Sequence, residues 1–153
     1  SVTSKDIGMN DPWNATPEEI ASWAYESDGM LPEQDWDLAI AQECNGPLLL
    51  KLASDAICPT RFFFLRCLYL MVGDAVRSGY QAHARECIVS LLAAVDRNSP
   101  DYVARWADRS RVLIEASPTA VDHALWCDGG YAQEAEREAN ALRKETRIIG
   151  ENP

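Results

Sequence analysis

The chain has two histidines, and each stands four residues before a cysteine: His83-Ala84-Arg85-Glu86-Cys87 and His123-Ala124-Leu125-Trp126-Cys127. Two imidazoles and two thiolates would complete a tetrahedral zinc site. On a helix, the i,i+4 spacing would place each pair on one face. Against zinc stands the absence of any CxxC pair among Cys44, Cys58, Cys67, Cys87 and Cys127, because structural zinc sites draw on such tight loop pairs. A third stretch, Ile40-Ala41-Gln42-Glu43-Cys44, repeats the cysteine without the histidine. A small, readily buried residue recurring at a helix-packing position accounts for all three without metal. Packing is therefore the preferred reading, and no cofactor is expected. His83, Cys87, His123 and Cys127 are the residues that zinc would need.

Other chemistry finds less support. A nucleophilic cysteine needs a base beside it in space, and no glycine elbow or catalytic-cysteine signature surrounds any of the five. Asp128-Gly129-Gly130-Tyr131 lacks the spacing of a phosphate loop and reads as a helix stop and restart. The carboxylates Glu18 with Glu19, and Asp35 with Asp37, would suit acid–base work or a hard cation. Neighbouring acids on a helix more commonly form a solvated face.

The elements that would position these groups are helical throughout. Thr16-Pro17-Glu18-Glu19 has the cap, first-turn proline and reciprocal glutamate of a helix start. That helix is expected to run to about Glu26. A second is expected from about Glu33 to the Asn45-Gly46 break, and a third from Pro47 to Cys58-Pro59. The longest and most apolar begins at Thr60. Its crowding of Phe63, Leu65, Leu68, Leu70 and Val72 marks it as central. Further helices are expected from Tyr80 to Arg97, from Pro100 with Ser99 as cap, and from Ser117-Pro118. A polar closing helix follows Gly130. No segment alternates like a strand. The expected fold is all-α: one domain of about seven helices over residues 16–148, with loose ends at residues 1–15 and 149–153.

Leu48 to Val76 and Ile88 to Ala116 repeat one pattern: a short apolar helix, a break at a proline, a longer helix. The starts are 40 residues apart and Pro59 and Pro100 are 41 apart. This period resembles that of HEAT-type helical hairpins, which implies stacked hairpins in the middle of the fold.

Composition bounds the function. The chain has 153 residues, 47% of them apolar, and a net charge of −10. An acidic chain repels phosphates, so nucleic acid is not the expected partner. No run of 18 apolar residues occurs, and the apolar stretch from Phe62 to Val72 contains Arg66, so no membrane span is expected. No targeting series is present, and five scattered cysteines fit a reducing cytosol, although a chain that starts at Ser1 leaves room for a trimmed leader. The charge is concentrated: residues 1–44 contain ten acids and one base, residues 45–153 contain 14 acids and 13 bases. Aromatics interleave with the early acids. Trp23, Tyr25, Glu33, Asp35, Trp36 and Asp37 are therefore the candidate surface for a basic protein partner. The competing reading makes the tryptophans core anchors and leaves the acids facing water.

Small size, acidity and helical content resemble those of bacterial toxin-immunity proteins. The resemblance implies a non-enzymatic module that neutralises a basic toxin, with no residue roles attached. An adaptor or regulatory subunit is the alternative, and an enzyme dependent on Cys/His or zinc the third.

Overall fold

A computed structural model describes residues 9–151. Among them are eight α-helices and no strand, one for each of the eight segments read as helical from the sequence. They are α1 (Pro17–Glu26), α2 (Trp36–Ile40), α3 (Gly46–Ser54), α4 (Arg61–Arg77), α5 (Arg85–Ala93), α6 (Asp101–Ile114), α7 (His123–Trp126) and α8 (Gly130–Glu151). They build a single all-α domain around α4.

α4 is central because it is apolar on most sides, with Arg66, Asp74 and Arg77 confined to one partly exposed side. Leu65, Leu68 and Val72 are completely buried, and so are Phe64 and Cys67. A helix with so wide an apolar surface has to be packed on most sides. α2, α3, α6, α7 and α8 all pack on it. α7 approaches closely because Gly73 has no side chain: a Cβ there would stand 2.9 Å from Trp126 Cβ. The chain then turns at Gly129, with φ +84°, directly beneath the Arg66 guanidinium. An L-residue there would meet both an unfavourable φ and a clash at 2.8 Å.

The start of α1 follows its sequence. Thr16 Oγ1 accepts the Glu19 N–H at 3.1 Å, and Glu19 Oε1 accepts the Thr16 N–H at 2.9 Å, so two helix-end donors are satisfied reciprocally. Residues 1–8 of the segment expected to be loose lie outside the described residues. From Met9 onward the segment joins the core: Met9 is buried, and the Trp36 indole donates to the Pro12 carbonyl at 2.9 Å. At the other end α8 continues through residues 149–151, and residues 152–153 lie outside the described residues.

Five boundaries differ from the sequence pattern. α3 ends at Ser54, short of the Cys58-Pro59 break, and the helix expected from Ser117-Pro118 is a 3-10 turn at Pro118–Ala120, with α7 starting only at His123. α2 is five residues long rather than about twelve, because the Asn45 and Gln42 side chains take the Ile40 and Leu38 carbonyls that a continuing helix would use. Residues 80–84 are a turn rather than the start of α5. Gly79 and Tyr80 both have positive φ, 62° and 65°. The left-handed Tyr80 costs on the order of 1 kcal/mol and is held by a bond from its hydroxyl to the Ile114 carbonyl. α6 starts one residue late. Pro100 is its cap, and the Ser99 hydroxyl instead accepts the Asp96 N–H.

The middle of the chain forms two short–long hairpins, α3–α4 and α5–α6. α3 lies beside α5 and α4 beside α6.

Candidate functional site

The zinc set does not assemble as its spacing suggested. His83 lies on the turn before α5, with Ala84 as the helix cap, so His83 and Cys87 share no helical face. His83 is buried, while His123 at the start of α7 is exposed and bonds Asp128 at 3.1 Å. Among the described residues, no three His, Cys, Asp or Glu side chains are arranged to hold a metal ion. The packing account of the cysteines also needs correction. Cys127 is buried against Gly73 and Asp74, but Cys44 and Cys87 are exposed. The repeated spacing therefore reflects no common packing role.

The thiols differ in environment. Burial, reinforced by Asp74, pushes Cys127 up to about 11. Cys87 is also raised, chiefly because its thiol hydrogen-bonds the Glu43 carboxylate. Glu43 is held below the usual carboxylate range by the Ala84 N–H first and by Cys87 second. His83 sits between Glu43 and Asp74. Burial keeps it more neutral than usual against the pull of both carboxylates, and its Nδ1 is buried without a partner. Thiolate, not thiol, is the nucleophile and metal ligand, and this arrangement favours the thiol.

The candidate partner surface divides in two. Trp23 and Trp36 are completely buried, 4.7 Å apart edge to face, with Phe63 stacked on Trp36 at 5.6 Å. Asp37 is buried, and its carboxylate pairs with Arg66 at 3.1 Å, tying α2 to α4. These three residues are corrected from surface contacts to interior anchors, because the rings and the ion pair fill the space between α1, α2 and α4. Glu33 and Asp35 are exposed, as expected. Tyr25 is 40% exposed and its hydroxyl donates to Asp55.

The buried indoles nonetheless build the corner. The Trp23 N–H binds the Met30 carbonyl at 3.1 Å and the Trp36 N–H binds that of Pro12. The loop between α1 and α2 and the turn at Pro12–Asn14 are thus fixed over one aromatic pair. Apolar side chains around them point outward: Met30 on the loop is 65% exposed, Trp13 on the turn 52% and Leu38 on α2 48%. Trp13 is one of the aromatics that interleave with the early acids in the sequence, whereas sequence reasoning missed Met30 and Leu38, whose only signal was that they stand near tryptophans already needed by the core.

A second feature lies on another face. Between α3 and α5 runs an open groove of about 620 Å³. Gly46, Pro47 and Leu50 form one wall, Leu91 and Ala94 the other, and buried Met71 the floor. Glu43, Glu86 and Cys87 stand at one end. Its sequence signal was the one-turn spacing of Gly46, Leu50 and Ser54 and of Ser90 and Ala94, legible only once the two helices are known to be neighbours.

Among the described residues no helix is long and apolar enough to cross a membrane. Comparison with protein-family models, curated proteins and solved structures found no match to this chain.

Proposed function

We propose that this chain is a non-enzymatic interaction module of the cytosol that binds a basic protein, acting as an immunity or inhibitor protein against a toxin. The observation that carries the reading is the corner over Trp23 and Trp36. There, exposed Met30, Trp13 and Leu38 project from a surface that also presents Glu33 and Asp35, within the first 44 residues that hold almost all the excess negative charge. Apolar contacts accompanied by charge of one sign supply affinity and steering together. The rigid aromatic pair beneath fixes both loops before binding, which lowers the ordering cost of association. The protonated state favoured at Cys87 supports a binding role over thiol catalysis.

The test is affinity capture from the native source with three baits: the wild-type chain, the Glu33→Lys/Asp35→Lys variant and the Met30→Asp variant. The wild-type chain is expected to retain a basic protein at low salt and release it near 1 M salt, where the screening length falls to about 3 Å. Both variants are expected to lose it while keeping wild-type melting curves. Equal retention by the charge-reversed variant, or a retained partner that is itself acidic, would overturn the reading. Assaying the retained protein for toxicity separates an inhibitor from an adaptor.

A further inference from the structure

The groove between α3 and α5 is walled mainly by helix, with the Ser99 loop at one margin. No strand is present among the described residues, so the groove has no strand edge to offer an extended peptide. An occupant has to be recognised through side chains. Each wall helix has nine residues, which is about 13 Å of helix. That length matches two to three turns of a third helix presenting an apolar stripe at i, i+4 and i+7. Small groups at the lips, Ser54, Ser90 and Ala94, leave room for a helix backbone to come close.

Charge selects the occupant. The charged groups lining the groove are Glu43, Glu86 and Lys51. Glu43 and Glu86 stand together at the end where α3 and α5 begin, since Glu43 reaches Cys87 and the Ala84 N–H. Lys51 stands toward the other end, one turn beyond Pro47. An acidic end, an apolar middle and a single cation far from that end complement a basic amphipathic helix whose Lys or Arg residues cluster at one terminus.

We infer that the α3–α5 groove receives an amphipathic helix of the basic partner, aliphatic stripe inward and cationic end at Glu43 and Glu86. This rests on the reading that the chain binds a basic protein. It adds a second contact region, separate from the tryptophan corner, and names the secondary structure that fills it. Cys87 lies within the groove and Cys44 is exposed outside its lining, so the protein carries its own reporter and control.

The probes are two synthetic 14-residue helical peptides with the same leucine stripe, one flanked by lysines and one by glutamates. Binding is read by fluorescence anisotropy. Occupancy is read by the rate at which iodoacetamide alkylates Cys87 and Cys44, mapped by mass spectrometry. The lysine peptide is expected to bind saturably and to slow Cys87 alkylation at least tenfold, with Cys44 unchanged. The glutamate peptide should bind at least tenfold more weakly. Ala94→Trp, at an exposed position on the lip, should fill the groove and abolish binding with the helical circular dichroism unchanged. If the lysine peptide binds without protecting Cys87, and Glu33→Lys/Asp35→Lys abolishes that binding, the groove inference fails while the basic-partner reading stands. If both peptides bind alike, or Ala94→Trp binds as wild type does, charge or groove selection is overturned. If no basic peptide binds at all and capture also yields no basic partner, both readings fall together.

Discussion

The corner at Trp23 and the groove at Leu50 are both spaces between helices on an acidic protein, yet one is full and the other open. At the corner, Trp23 lies within aromatic contact distance of Trp36, Phe63 and Phe64, and both indoles are completely buried. At the groove, Gly46, Ser54, Ser90 and Ala94 are too small to close the distance between α3 and α5, and about 620 Å³ stays open. Side-chain volume, not hydrophobicity, separates the two. Apolar residues line both, but only the corner has enough atoms to exclude solvent. The corner then uses its filled interior to hold loops outward, while the groove presents its own interior.

The sharpest way to break this contrast is to empty the corner. Trp23→Ala and Trp36→Ala should each cost about 3–5 kcal/mol, the range for large aromatic truncations in a core. A cost under about 1 kcal/mol in denaturant titration would mean that the indoles do not carry the corner. Leu68→Ala on α4 should cost about 2–5 kcal/mol, which sets the scale for a purely aliphatic core position.

The next effect is smaller. Asp37→Asn leaves the Arg66 guanidinium without its partner. It should cost about 1–3 kcal/mol, between the limits for exposed and buried pairs, because the arginine side chain is 36% exposed. A neutral result would assign the α2–α4 junction to the rings alone.

Below that comes the behaviour of His83 near the groove mouth. Burial lowers its folded-state midpoint, so the unfolded chain takes up the proton first. The stability gained from the neutral ring is complete above about pH 6.5. It is lost as pH falls from there through the lower folded midpoint. Glu43 and Asp74 face the ring and oppose the shift, but carboxylates titrate mainly below about pH 4.5. His83→Gln should therefore flatten melting temperature against pH between about 7 and 5 and leave the acid limb intact. An unchanged slope would contradict the assignment.

The smallest effect is expected from filling the groove. Ala94→Trp should change stability by no more than about 0.5 kcal/mol, as for surface substitutions generally, since the groove contributes space rather than packing. A large loss would show that the helices close over it in solution.

Much of the fold was legible in the sequence because local chemistry and tertiary structure agree. The Thr16–Glu19 capping box, the mostly apolar α4 and the stop at Gly129 each state one structural demand in one short segment. The misread boundaries lie where distant groups intervene. α2 is cut short by the Asn45 and Gln42 side chains, and α5 is delayed by a turn that Tyr80 anchors to Ile114. The site was legible in part. The asymmetry of charge pointed to the first 44 residues, but residue type alone could not say which aromatic rings face inward. Trp23 and Trp36 are buried by ring packing, and their burial is tolerated because their N–H groups find carbonyls at Met30 and Pro12, a pairing no periodicity reports. The groove was hidden for another reason: its walls stand on helices about 40 positions apart in sequence, and the spacing along each reads as a groove only once the two are known to be neighbours.

The central claim, an acidic corner that steers a basic partner, is tested most directly by association kinetics. The measurement is the association rate of the captured partner with the wild-type chain and with Glu33→Lys/Asp35→Lys, across a salt series. The wild-type rate should fall steeply as salt rises. The variant rate should be lower at low salt and nearly flat, with melting temperatures matched, because exposed charges act mainly on encounter. A folded variant that associates at the wild-type rate at every salt concentration would contradict the account.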